Sequence, residues 1–387
     1  MLTLKQETGR ETAGIYIHIP FCKQACVYCN FHFSTSLKYK AEMVDAIVRE
    51  LELQAGYLAG IPIGTLYLGG GTPSLLSAEE VNRIADTVQR CYNAESITEC
   101  TLEANPDDLD KTYIKALGNT PVNRLSIGVQ SFYDRDLLYM KRVHNAQEAD
   151  YAIKAAQDSG LTNISIDLIY GTPGLTDNDW TGNLNKVKEL GVQHFSAYAL
   201  TVEERTALHH NIAKKKSAPV DPEQASGQFD ILCEHAATMG YEHYEISNLA
   251  LPGHHAVHNT NYWRGLPYLG IGPSAHSFDG ARERRWNVAN NQQYLENILK
   301  NNSIPCETER LTDVQVLNEY IMTSLRTMWG CDLGMIATKY GSDAVKTMLY
   351  EAEEHLEKGR AYVDNDKLIL TQKGRLFADG IASDLFF

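Results

Sequence analysis

An α/β fold, with a mostly parallel sheet and helices outside it, is what the first 200 residues predict. Six short β-branched or apolar runs alternate there with longer amphipathic segments, the pattern of repeated βα units. Every motif able to carry chemistry in this half falls just after a run or in the loop beyond it, and such sheets bind ligands at the carboxyl ends of their strands. From Leu311 the texture changes to helices followed by a hairpin. Periodicity alone does not choose between an open sheet and a partial barrel.

A first strand is expected over 15–19, and past a cysteine-rich loop Val44, Ile47, Val48, Leu51 and Leu58 recur at helical spacing. The second strand, 65–68, runs into Gly69-Gly70-Gly71-Thr72-Pro73. Ser77-Ala78-Glu79-Glu80 then forms a capping box for a helix carrying Val81, Ile84, Ala85 and Val88. The third strand, 97–102, leads into Glu103-Ala104-Asn105-Pro106 and a helix over 107–117. The fourth, 124–129, leads into Gln130-Ser131-Phe132, and Asn145 to Glu148 caps a helix that ends by Gly160. The fifth, 163–169, ends in Tyr170-Gly171-Thr172-Pro173-Gly174, with Trp180, Leu184, Val187 and Leu190 on the next helix; the sixth is 194–200.

Residues 206–220, with Lys214-Lys215-Lys216, read as a solvated loop without a function. Asp221-Pro222 opens a helix with proline at its first position. Residues 241–280, rich in His, Gly, Tyr and Trp, match no simple element. Helices over 313–328 and 342–358, then strands over 361–364 and 367–370 meeting at Asn365-Asp366, suggest a small winged-helix-like domain. The expected division is therefore 1–205, 206–305 and 306–387.

Apolar content of 43% and charged content of 22% are those of a globular protein. No run of 18 apolar residues exists to span a membrane, and residues 1–13 lack the apolar core of a signal peptide. A cytoplasmic protein with reduced thiols is expected. Cys91, Cys100, Cys233, Cys306 and Cys331 are scattered and read as small buried hydrophobes. A formal charge of −14 speaks against a nucleic-acid partner, because phosphate contacts need a basic surface.

Cys22, Cys26 and Cys29 follow the spacing C-x3-C-x2-C straight after the first strand. A [4Fe-4S] cluster normally takes four cysteines, so three leave one iron open to a further ligand. A Cys3His zinc site recruiting His18 or His32 is the alternative that spacing leaves standing. Tyr16, the three cysteines and Tyr28 together resemble the signature of radical S-adenosylmethionine (SAM) proteins. That resemblance implies a partial (β/α)6 TIM-like barrel and a [4Fe-4S] cluster whose open iron is chelated by SAM. It also implies an electron donor, such as a flavodoxin or ferredoxin.

The same resemblance assigns Gly70, Gly71 and Thr72 to the methionine end of SAM. Read as residues, Glu103 could accept from ribose hydroxyls, Gln130 offers donor and acceptor, and Arg142 could fork onto a carboxylate. Asp167 is a charge inside an apolar strand, which needs a partner if buried. Taken singly, each is equally readable as half of an internal ion pair. In order and surroundings, however, Glu103, Gln130, Arg142 and Asp167 resemble the SAM-contacting residues of the oxygen-independent coproporphyrinogen III oxidase-like family, over nearly the whole chain.

Two departures separate this chain from the oxidases of that family, which resemble C-x3-C-x2-C-x-C and carry a long segment ahead of the cluster. Here Phe31 stands at the fourth cysteine's place and 21 residues precede Cys22. Both resemble the family's haem-chaperone branch, as does His258-Asn259-Thr260-Asn261-Tyr262-Trp263, which matches that branch's haem-associated H-N-x-x-Y-W segment. His258 could offer an imidazole to haem iron; Asn259, Tyr262 and Trp263 carry over with it. Buried aromatic packing, or zinc held by His254, His255 and His258, are the plain readings of the same residues. The expected function is a chaperone that binds haem and passes it to an acceptor protein, with a radical SAM enzyme such as the oxidase as the alternative.

Overall fold

The computed structural model describes residues 12–387; the reading of the first residues as lacking a signal peptide falls mostly outside them. Strands β1 (Ala13–Ile19), β2 (Ile63–Gly70), β3 (Glu99–Ala104), β4 (Arg124–Gln130), β5 (Ile164–Tyr170) and β6 (His194–Ala199) are parallel and pair in chain order. Helices return between them, forming the partial (β/α)6 barrel. Both expected capping boxes are present, Ser77 with Glu80 and Asn145 with Glu148.

Strand alternation sorts the side chains onto two faces. Ile15, Ile17, Leu66, Leu68, Leu102, Leu125, Ile127, Ile166, Leu168 and Phe195 are buried against the helices and build the main core. The residues between them are mostly polar: Tyr16, Tyr67, Glu103, Ser126, Asp167 and Ser196 share the other face. Asp167 is thus one place in an alternating series, which explains a carboxylate inside an otherwise apolar strand.

The segment without a simple pattern contains β7 (Glu242–Glu245), β8 (Asn248–Ala250), a helix (Val257–Trp263), β9 (Tyr268–Ile271) and β10 (His276–Phe278). Elements of three to seven residues are too short for periodicity to register. With β11 (Glu283–Asn287) and β12 (Cys306–Arg310) they extend the sheet at both edges. β8 and β7 continue it past β6, and β9, β10, β11 and β12 continue it past β1.

Residues 317–385 build a second core from Leu317, Ile321, Leu325, Ile336, Met348, Leu368, Leu370 and Ile381. β14 (Ala361–Asp364) and β15 (Lys367–Leu370) form the expected hairpin, with Asn365 and Asp366 both at positive φ, as a two-residue turn requires. β13 (Cys331–Asp332) and a helix (Leu333–Tyr340) were not anticipated. The expected helix over 342–358 is two helices, Ser342–Glu351 and Glu353–Glu357. Inside the supposed loop of 206–220, Thr206 caps a helix, Ala207–Ala213. Cys91 and Cys306 are half-buried rather than buried.

Candidate functional site

The loop after β1 carries Cys22, Cys26 and Cys29 as free, half-buried thiols. Its backbone is tied down on both sides. Cys22 N–H donates to the Ser34 carbonyl at 3.0 Å and Val27 N–H to the Met140 carbonyl at 3.4 Å. Gln24 donates to the Lys141 carbonyl at 2.8 Å, and Lys141 is the left-handed C-cap of the helix Asp134–Met140. That turn also delivers the next residue, Arg142, to the cysteines.

Arg142 joins the loop to the strand ends. One terminal nitrogen lies 3.4 Å from Cys26 Sγ; the other donates to Asn105 Oδ1 at 2.6 Å and the Gly128 carbonyl at 2.9 Å. Asn105 in turn donates to Thr72 Oγ1 at 3.2 Å. Gln130 is buried, at φ 68° beside a register shift in β4. A Cβ at Gly128 would lie 3.0 Å from Gln130 Nε2 and 3.3 Å from Arg142, so this glycine lets both polar ends converge. Burial works against the Arg142 charge, but half-buried Tyr28 and Cys26 lie close enough to hold the guanidinium's proton affinity above its ordinary value.

Burial pushes the Cys22 thiol up to about 11, with Cys29 and Cys26 near enough to add to it and Thr72 and Arg142 opposing. Arg142 Nε is buried without a hydrogen-bond partner among the described residues. An orphaned cationic donor beside three thiols fits an anionic cluster carrying a carboxylate-bearing ligand. Among the described residues no three His, Cys, Asp or Glu side chains converge as a single ion needs; thiolates that take separate irons of one cluster need not converge.

Gly70 is at φ +109°, and a Cβ there would meet the His18 ring at 2.6 Å. Its N–H donates to Glu103 Oε2 at 3.0 Å, while Tyr67 donates to Glu103 Oε1 at 2.8 Å. A Cβ at Gly71 would lie 2.5 Å from the Phe21 carbonyl. Burial lifts the Glu103 carboxyl to about 7, with Asp167 adding to the rise and Tyr67 opposing it. Burial likewise lifts Asp167 to about 6, opposed first by Ser196. Tyr16 donates to His18 Nδ1 at 3.1 Å and His18 Nε2 donates to the His32 carbonyl at 2.9 Å. That places the aromatic residue of β1 beside the glycine turn.

A cavity of 1020 Å³ runs from Tyr16, His18, Gly70 and Glu103 past Phe31 and His32 to the C-terminal helices. Tyr262, Trp263, Tyr268, Phe278 and Tyr340 supply aromatic wall. Of the H-N-x-x-Y-W segment, Tyr262 and Trp263 line the cavity, whereas Asn259 lies off its wall. His258 requires a correction. It is 2% exposed, with Nδ1 bonded to Thr65 Oγ1 at 2.7 Å and Nε2 to Tyr262 Oη at 2.8 Å. Its ring stacks on Tyr67, and burial lowers its pKa to about 3. With both nitrogens engaged inside the barrel, it presents none to an iron in the cavity. The helix spacing that puts Tyr262 one turn after His258 makes this bond possible.

Sequence reasoning passed over Asn105, Gly128 and Tyr67. Asn105 was legible from its place just after a strand; Gly128 and Tyr67 carried no signal short of the tertiary structure.

A parallel barrel with three thiols just past its first strand, and polar groups at the ends of the next four, defines a radical SAM protein. The Radical SAM superfamily model matches residues 16–187, and members of this class use a [4Fe-4S] cluster and SAM. The heme chaperone HemW of Mycobacterium tuberculosis is 33% identical over 377 residues, 96% of this chain and 94% of the relative. That of Bacillus subtilis is 31% identical over 368 residues, 95% and 97%. The chain belongs to the HemW family. Among solved structures, coproporphyrinogen III oxidase (HemN) from Escherichia coli has the same fold. Its TM-score is 0.83 at 22% identity, covering 97% of this chain and 90% of that one.

Proposed function

We propose that the protein is a haem chaperone that takes up haem in the 1020 Å³ cavity and hands it to an acceptor protein. The observation that carries this reading is Phe31, 68% exposed and on the cavity wall two residues past Cys29. With Tyr262, Trp263, Tyr268 and Phe278 it offers flat apolar surface suited to a macrocycle. In the oxidases that this chain resembles, a cysteine stands there instead.

Cys22, Cys26 and Cys29 would hold the cluster, which with SAM supplies one-electron chemistry when bound. Arg142, Gln130 and Thr72 would orient the methionine end of SAM; Glu103 and Asp167 would accept from the hydroxyls of its ribose. Tyr16 and Tyr28 would pack beside them. Reduction by a flavodoxin- or ferredoxin-type donor belongs to the same proposal. So does a cytoplasmic setting, which suits eight free thiols.

Anaerobically reconstituted protein is expected to develop a Soret band with stoichiometric haem and to lose it to an apo-haemoprotein. It is expected to leave coproporphyrinogen III intact. Decarboxylation without any haem uptake would sink the proposal. A second reading, radical SAM catalysis on a small molecule, draws on the continuity of the cavity with Tyr16, Gly70 and Glu103. Substrate-dependent 5′-deoxyadenosine release would favour it.

A further inference from the structure

We propose that His276 is the imidazole that ligates the iron of bound haem, and that Arg264 and Lys339 receive its propionates. This rests on the haem-binding reading above and names the residues that would carry it.

A haem-iron ligand must present a free imidazole nitrogen to the bound macrocycle. Of the three other histidines of the region, two are committed through both ring nitrogens and the third through one. His258 is buried with both nitrogens bonded. His18 is 6% exposed and bonded through both nitrogens to Tyr16 and the His32 carbonyl. His32 uses Nε2 on Asn291 Oδ1 at 2.7 Å. His276, the first residue of β10, is exposed and lies on the cavity wall. Neither of its ring nitrogens has a hydrogen-bond partner among the described residues.

Its orientation is nevertheless held. β10 pairs with β11 so that His276 stands opposite Trp286, and the two rings stack at 27° with centroids 6.2 Å apart. Burial and Arg284 lower its pKa, which keeps the ring neutral, the form that binds metal.

The charges on the same wall divide into committed and uncommitted. Arg282 pairs with Asp313, and Arg284 pairs with Glu319 at 2.6 Å. Arg264 and Lys339 are exposed on the wall and pair with no carboxylate among the described residues. Each lies instead over an aromatic ring, Arg264 over Trp329 at 5.0 Å and Lys339 over Tyr340 at 5.4 Å. An aromatic, apolar chamber with one unpartnered imidazole and two unpaired cations suits a dianionic metalloporphyrin.

The test is a haemin titration of cluster-loaded wild type, His276→Ala and His276→Gln, read by Soret absorbance and by electron paramagnetic resonance. Both variants are expected to bind at least about tenfold more weakly, a loss of about 1.4 kcal/mol. They should lose the histidine-ligated spectrum and regain it on adding free imidazole, with iron content and melting temperature unchanged. Arg264→Ala with Lys339→Ala should weaken binding without moving the Soret maximum. Wild-type affinity and spectrum in both His276 variants would overturn the ligand assignment and leave haem binding standing. Wild type that takes up no haem would overturn the chaperone reading and this one together.

Discussion

Arg142 places one terminal guanidinium nitrogen 3.4 Å from Cys26 Sγ, while its other terminal nitrogen donates to Asn105 and to the Gly128 carbonyl. A single side chain thereby couples the cysteine loop to the carboxyl ends of β3 and β4. Its Nε remains buried and, among the described residues, unpartnered, a donor waiting for an acceptor.

Arg142→Ala is expected to lower SAM affinity by about tenfold or more, since hydrogen bonds to charged groups contribute about 1.5–3 kcal/mol. Arg142→Lys should recover only part of it, because an ammonium cannot reproduce the planar fork. Calorimetric SAM titration of cluster-loaded protein measures both. Unchanged affinity in Arg142→Ala would remove Arg142 from the SAM site.

Glu103 and Asp167 set a pH dependence. Both carboxyls have folded-state pKa values raised above the ordinary range, to about 7 and about 6. Between pH 4.5 and 7 these two carboxyls therefore bind more protons in the folded protein than in the unfolded chain. Their contribution to stability falls as pH rises through that window. In denaturant melts of the ligand-free protein, the stability of wild type relative to Glu103→Gln is expected to fall on the order of 1–3 kcal/mol between pH 5 and 8. Parallel pH profiles in the two proteins would contradict the assignment.

His258→Ala removes a buried ring and leaves the Thr65 and Tyr262 hydroxyls without it. Each buried polar group left unsatisfied costs about 1–3 kcal/mol, so the variant should melt several degrees lower. The effect should be smaller at pH 5.5 than at pH 8, because the folded ring, with pKa about 3, stays neutral at both values while the histidine of the unfolded chain takes up a proton at the lower one. Thermal melts at both values check this, and an unchanged melting temperature would refute the buried, bonded role.

Much of this protein is local and so legible in the chain alone. Strand–helix alternation, the capping boxes at Ser77 and Asn145 and the hairpin at Asn365-Asp366 each depend on residues within a few positions of one another. So does the spacing of Cys22, Cys26 and Cys29, and these suffice for a parallel α/β sheet with a thiolate loop past its first strand, the choice of a barrel coming from the family resemblance. What depends on residues far apart was decided by tertiary structure. Asp167 looks anomalous in sequence and ordinary once β5 is flanked by β4 and β6. His258 has the right residue type for an iron ligand. Only the approach of Thr65 from β2, 193 positions away, shows that its nitrogens are already engaged. His276 carries no motif, and its open ring becomes visible when β10 turns it toward a cavity closed by the C-terminal helices. Hydrogen-bond saturation and exposure are properties of packing, and packing is not written in any local run of residues.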